Sequence, residues 1–193
     1  MKIQTGYIYH IKDEFFEKIN NSGVMINHEN GRTRPTYLTI KDKSILWFIP
    51  LSSKVNKYKP IVETKIRKYG NCKSIMIRRI ANKESVILLQ NAFPTLEKYI
   101  DHPHTINGKP VKVSDNLKAD ILENFNSLLA LKKQGINLFF TDIDGIKQKM
   151  LDEIDWVLIL NIDIFNKICY ICIVIRCKYF SLLDGAWYKW FQP

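Results

Sequence analysis

Two pairs of short apolar runs, each pair divided by a few polar residues, constrain this chain more than any other feature. Tyr37 to Lys41 and Ile45 to Leu51 flank Asp42-Lys43-Ser44, and Ser74 to Ala81 and Ser85 to Gln90 flank Asn82-Lys83-Glu84. Breaks this brief suit a chain reversal, so each pair reads as an antiparallel hairpin. A further strand is expected over residues 5 to 11, where Tyr7, Ile8, Tyr9 and Ile11 supply aromatic and β-branched side chains.

The remaining segments read as helices and loops. Asp13 to Ile19 place Phe15, Phe16 and Ile19 on one helical face. Residues 57 to 69 set Lys57, Lys59, Lys65, Arg67 and Lys68 against Ile61, Val62 and Ile66, an amphipathic helix with a basic outer face, in which Pro60 is tolerable only in the first turn. A short helical turn is expected over Thr95 to Tyr99. Ser114 and Asp115 cap a long helix whose stripe of Leu117, Ile121, Leu122, Phe125, Leu128, Leu129 and Leu131 ends before Gly135, and Thr141 caps a last short helix through Met150 and Ile154. Residues 20 to 35, dense in Asn and Gly, form a long loop that carries Arg32 and Arg34, and residues 102 to 110 form a second loop.

A chain of 193 residues fits one compact domain that needs no disulfide or structural metal. Its 29 Lys and Arg against 19 Asp and Glu give a net charge of +10, which suits a polyanionic partner through counterion release. RNA, DNA and an anionic membrane each satisfy that charge, as does a merely basic surface. Four cysteines without a paired framework, and a start that lacks signal-peptide features, place the chain in the cytoplasm. Residues 156 to 180 turn abruptly apolar but are interrupted by Asp163, Lys167 and Arg176, short of the ~18 uninterrupted residues that a confident span requires. A buried extra element, a non-native extension and a weak membrane anchor all fit this tail.

Motifs for phosphate loops, zinc pairs and metalloprotease helices are absent from the sequence. Cys169 and Cys172 suit burial; Asp142 and Asp144 suit a helix start; His102 and His104, around Pro103, suit either a base pair or a metal site. The sharper signal is Ile49-Pro50-Leu51-Ser52-Ser53-Lys54, where an apolar strand ends in two hydroxyls and an ammonium group, followed by Lys57, Tyr58 and Lys59. Metal-free RNA cleavage needs a base for the ribose 2′-hydroxyl, charge stabilisation of the phosphorane and a proton for the departing 5′-oxygen. Cations and polarised hydroxyls meet the last two needs, although a polar turn after a strand accounts for the same residues.

On these residues the chain resembles the type III toxins, which include ToxN, AbiQ and, most closely, the CptN branch. The resemblance lies in Arg34-Pro35-Thr36-Tyr37, Ile49-Pro50-Leu51-Ser52-Ser53-Lys54, Asn91-Ala92-Phe93-Pro94 and Glu97-Lys98-Tyr99-Ile100-Asp101-His102, and it covers approximately residues 3 to 154. It implies an α+β fold: a curved antiparallel sheet or small barrel resembling MazF and Kid, with surrounding helices. It divides the chain into an endoribonuclease domain over 1–154 and an apolar extension over 155–193, which has no recognised counterpart and fits a read-through.

The implied function is that of a metal-independent endoribonuclease toxin with no cofactor. Its implied partners are an RNA antitoxin of pseudoknot repeats, which it processes itself, and cellular or phage RNA, joined in a protein–RNA hetero-oligomer without DNA or a membrane. In the ToxN pattern the main catalytic hydroxyl maps onto Ser52, with Ser53 beside it, and a basic residue opening the preceding strand maps onto Arg34. The motif's lysine falls on either Lys54 or Lys57, because here Lys54 precedes Val55. Arg32, Lys57, Lys59, Arg78 and Arg79 are candidates for phosphate contacts, Tyr58 for stacking on a base, and His10 and His28 for proton carriage. A non-catalytic basic RNA-binding module is the alternative.

Overall fold

The computed structural model describes residues 3–19, 22–29, 31–42 and 44–154, so the apolar tail lies outside the described residues. The chain divides into two compact units, 1–150 and 151–193; of the second only residues 151–154 are described, and they are helical. The first unit is α+β. It runs β1 (Ile8–Ile11), α1 (Asp13–Lys18), β2 (His28–Glu29), β3 (Arg32–Thr33), β4 (Thr36–Asp42), β5 (Ile45–Ser52) and α2 (Val55–Tyr69). It continues with β6 (Met76–Ile80), β7 (Lys83–Ile87), β8 (Phe93–Leu96), β9 (Ile100–Pro103), β10 (Thr105–Ile106), β11 (Lys109–Pro110) and α3 (Asp115–Lys133), and α4 begins at residue 143.

Seven strands form one antiparallel sheet in the order β6-β7-β5-β4-β1-β9, with β8 also paired to β5. The sheet is open rather than a closed barrel, since the described pairings leave β6 and β9 at its two ends. β5 organises it. Along one side it pairs with β4 from Asp42↔Ile45 to Thr36↔Pro50; along the other, Ile45 to Phe48 pair with β8 and Leu51 and Ser52 pair with β7. Pro50 sits where the second partner changes. A proline in a central strand normally forfeits a ladder bond, but here its missing N–H falls at the changeover, and its carbonyl still accepts from Leu88 N at 3.1 Å.

Nearly every residue of β5 is buried, because both faces of the sheet are covered. On one face α3 lays down Leu117, Ile121, Phe125 and Leu128 against Tyr37, Ile49 and Leu51, with the Phe125 ring 5.5 Å from Trp47. On the other face Phe48, Phe93 and Phe15 stack in sequence, with centroids 6.2 and 5.2 Å apart. Burying each such ring is worth ~1.5–3 kcal/mol. Ser114 caps α3 as expected, its hydroxyl accepting from Leu117 N.

The structure differs from the sequence reading in its loops. The long loop over 20–35 contains the β2–β3 hairpin, and the loop over 102–110 contains the end of β9 and the β10–β11 hairpin. The β10–β11 hairpin turns on Asn107 and Gly108 with φ of 52° and 74°, the left-handed pair that a tight two-residue reversal requires. The β6–β7 turn falls on Ala81 and Asn82 (φ 47° and 65°), one residue before the expected one. Thr95 lies in β8, leaving only a 3-10 turn over Glu97–Tyr99.

Helix α2 starts two residues earlier than the periodicity predicts, so Pro60 is its sixth residue and removes the bond that the Asn56 carbonyl would accept. α2 buries no residue fully, and Val55, Tyr58 and Val62 rest half-buried on Ile75, Val86 and Leu88. An interior proline costs ~3 kcal/mol against alanine, offset by ~1 kcal/mol because proline also restricts the unfolded chain. Pro60→Ala is therefore expected to raise unfolding stability by about 2 kcal/mol, read as a higher urea midpoint at unchanged slope; an unchanged or lower midpoint would contradict this account of α2.

Candidate active-site cleft

The changeover in β5 creates a rim. As β5 leaves its pairing with β8 and takes up β7, Leu51 joins the core under α3, and the next residue, Ser52, faces the opposite side of the sheet opposite Val86. Ser52 is buried, and its Oγ accepts a hydrogen bond from the backbone N–H of Lys54 at 3.2 Å. That acceptance commits one lone pair of the hydroxyl and leaves its own proton to be donated elsewhere. Ser53 and Lys54 follow at the start of α2, both exposed.

Arg34 reaches the same rim from the β3–β4 connection. Its Nε donates to Ile26 O and its Nη1 to Leu51 O, each at 3.2 Å, while its backbone N–H donates to Asn27 O at 2.7 Å. The guanidinium thus lies against the peptide that precedes Ser52. Asn27, itself buried, donates to Ile11 O and to Asp13 Oδ1, and His28 Nε2 lies 2.6 Å from the same Asp13 oxygen. The Asn27 bond, followed by the contact with His28, holds the Asp13 carboxyl below its usual range.

These groups surround a cleft of about 880 Å³. Its cationic lining is Arg32, Arg34, Lys54 and Lys83, and its hydroxyls include Thr33, Ser52, Ser53 and Ser85. His10, His28 and His104 complete the polar wall, and among the described residues no Asp or Glu lines it. Of the two lysines left open by the sequence, Lys54 lines the cleft. Lys57 lies on α2, its ammonium 5.6 Å from the Tyr58 ring. Tyr58 packs half-buried against the Ile75, Val86 and Leu88 cluster; Lys59 is exposed on α2, and Arg78 and Arg79 are on β6, outside the cleft lining.

The sequence pairs His102 only with His104 and sets His10 apart from them, and the fold gathers all three. β1 supplies His10, whose Nε2 lies 2.9 Å from His104 Nδ1 and whose Nδ1 lies 2.6 Å from Thr33 Oγ1. The His102 ring stacks on His10 with centroids 4.5 Å apart, and His102 Nδ1 contacts Asp101 at 2.9 Å. Burial, then the adjacent His102 and His104, lower the His10 pKa from 6.5 to about 4, against an opposing pull from Asp101. Burial followed by His102 also lowers that of His104. Among the described residues no group of three or more His, Cys, Asp or Glu is arranged to hold a metal ion, and no helix is long and apolar enough to cross a membrane.

No protein-family model matches the chain, and no curated protein matches it by sequence. Solved structures do match its fold. AbiQ, a lactococcal anti-phage endoribonuclease belonging to the type III toxin–antitoxin system, superposes with a TM-score of 0.62 at 14% identity, over 79% of this chain and 99% of AbiQ. A structure from a bacterial antiviral system regulated by a processed non-coding RNA follows, with a TM-score of 0.58 at 12% identity over 76% and 98% of the two chains. A third comes from work on type III toxin–antitoxin systems in which a non-coding RNA pseudoknot selectively inhibits the toxin, with a TM-score of 0.51 at 12% identity over 78% and 98%. The chain shares the fold of these proteins, and none of them singles out the CptN branch.

Because folded His10 binds its proton less tightly than an unfolded histidine, the unfolded state takes up more protons between pH 6.5 and about 4. Stability is therefore expected to be unaffected by His10 above pH 6.5 and to fall as pH drops through that window, by up to ~3 kcal/mol. Urea midpoints measured across this range should fall less steeply for His10→Gln than for the wild type; parallel curves would show that His10 is not held neutral by its surroundings.

Proposed function

We propose that this chain is a metal-independent endoribonuclease, the toxin of a type III toxin–antitoxin system, restrained by RNA pseudoknot repeats that it cuts from their own precursor. The observation that carries the reading is the cleft itself: four Lys and Arg side chains and a row of hydroxyls converge there, with no carboxylate among the described lining residues. Such a lining attracts a phosphodiester. The fold shared with AbiQ over nearly the whole of that enzyme supports the same class of chemistry.

In this reading the scissile phosphate lies against Ser52. The Ser52 hydroxyl, its oxygen held by the Lys54 N–H, donates to a non-bridging phosphate oxygen, while Lys54 and Arg34 supply positive charge to the pentacovalent transition state. Anchoring Arg34 on two backbone carbonyls fixes where that charge sits before substrate arrives, so little reorganisation accompanies the reaction. The 2′-oxygen attacks, the 5′-oxygen departs, and the products are a 2′,3′-cyclic phosphate and a 5′-hydroxyl. Arg32 and Lys83 extend the cationic lining beyond the scissile phosphate, and Lys57, Lys59, Arg78 and Arg79 serve more distant phosphates. Substrate and inhibitor are both RNA, and the assembly is a cytoplasmic protein–RNA hetero-oligomer.

Purified protein incubated with total bacterial RNA in excess EDTA is expected to give discrete cuts ending in cyclic phosphates, with Ser52→Ala slowed ~10²–10³-fold. Intact RNA that is nevertheless retarded on a gel would replace this reading with that of a non-catalytic RNA-binding module.

A further inference from the structure

Ser52 and its cations account for phosphate binding and charge stabilisation but leave the two proton transfers unassigned. Among the described residues, the Ser52 hydroxyl has no imidazole hydrogen-bond partner and no carboxylate lines the cleft. His28 faces the cleft, but its Nε2 contact ends at the exposed carboxylate of Asp13. A different set of residues spans the cleft wall continuously. Thr33 Oγ1, His10 and His104 form a chain with links of 2.6 and 2.9 Å, and both terminal residues, Thr33 and His104, line the cleft.

We infer that Thr33, His10 and His104 form a proton relay whose His104 end removes the proton of the attacking 2′-hydroxyl and whose Thr33 end protonates the departing 5′-oxygen. The inference rests on the ribonuclease reading and assigns the two roles that reading leaves open. With both rings neutral, two hydrogen-bond patterns are possible. In the first, His104 Nδ1–H donates to His10 Nε2, His10 Nδ1–H donates to Thr33 Oγ1, and the threonine proton points into the cleft. His104 Nε2 is then unprotonated and acts as the base. In the second pattern every donor and acceptor is exchanged.

One turnover converts the first pattern into the second. The 2′-oxygen forms its bond to phosphorus as its proton passes to His104 Nε2. The proton on Nδ1 moves to His10 Nε2, and that on His10 Nδ1 moves to Thr33 Oγ1. The threonine proton passes to the 5′-oxygen as its bond to phosphorus breaks. Protons and charges balance, and the relay resets by exchange with water. The direction follows from chemistry, since a threonine hydroxyl is far too weak a base to take the first proton. As a donor it is replenished by His10 while it gives its proton up, so no alkoxide forms. The relay requires His10 to be neutral, because a doubly protonated ring would donate at both nitrogens and break the pattern; the buried, imidazole-flanked setting of His10 favours the neutral form.

The test uses an oligoribonucleotide spanning a site mapped in total RNA, and the same oligonucleotide with sulfur replacing the scissile 5′-oxygen, since a thiolate departs without a proton. Under single-turnover conditions Thr33→Val is expected to cut the oxygen substrate ~10²-fold more slowly than wild type, yet to cut the sulfur substrate within ~3-fold of it. Thr33→Ser is expected to restore both rates, and His104→Asn to be slow on both. Equal impairment of Thr33→Val on the two substrates, or none on either, would overturn the relay alone. A wild type that cuts neither overturns the ribonuclease reading and the relay's role with it.

Discussion

The first unit depends on one strand being paired along both sides by three others. β5 pairs with β4 along most of its length, with β8 over its first half and with β7 over its last two residues. The changeover lets one strand serve as the buried centre of the sheet and then end at a polar rim. Had β8 continued alongside β5, β7 could not pair with Leu51 and Ser52, and Lys83 and Ser85 of β7 would not reach the cleft lining. Pro50 marks the point where that continuation stops, and it does so without orphaning a backbone donor. The position of Ser52 therefore follows from sheet topology rather than from the conformation of the turn after it.

The cleft is electrostatically lopsided, and the rest of the unit accommodates the imbalance. The four cations that line this cavity repel one another, with no carboxylate among the described lining residues to offset them, and each is tolerable with its charged end near solvent or against carbonyl oxygens. Arg34 takes the second course through Ile26 O and Leu51 O. His10 and His104 take a third, since burial, followed by the neighbouring imidazoles, favours their neutral forms. Two exposed carboxylates, Asp13 and Asp101, are each turned onto a histidine, His28 and His102 respectively. A bound polyanion would complete this arrangement.

What was legible in the sequence was whatever periodicity or capping announces locally. The β4–β5 hairpin, the face of α1 and the Ser114 cap of α3 each depend on residues within a few positions of one another. The β8 and β9 strands were hidden because Phe93-Pro94-Thr95-Leu96 and Ile100-Asp101-His102-Pro103 carry prolines and little alternation; their strand character comes from their partners β5 and β1. The β10–β11 turn did carry a local signal, Asn107-Gly108, obscured by strands only two residues long. Pro60 misplaced the start of α2 because a helix resting on Ile75, Val86 and Leu88 through Val55 and Tyr58 begins where that contact begins. Of the site, the Ser52 motif was readable because it is contiguous. The His10–His104 pairing was not, because the two residues lie 94 positions apart and only β1–β9 pairing unites them.

Residues 25–29 and 31–34 show how a composition that reads as loop becomes a tethered part of a site. The Asn27 side chain is tied to Ile11 O and Asp13, the Arg34 backbone to Asn27 O, and the Thr33 hydroxyl to His10. The short β2–β3 hairpin closes the segment on itself through His28↔Thr33 and Glu29↔Arg32. Two strands of two residues would not persist in water by themselves, so the hairpin borrows its order from these anchors on β1 and α1. Three cleft residues, Arg32, Thr33 and Arg34, are thereby held by the same few bonds. A site built this way does not have to be assembled by its ligand, and binding energy that would otherwise order the loop is left to act on whatever the cleft binds, a phosphodiester in the proposed reaction.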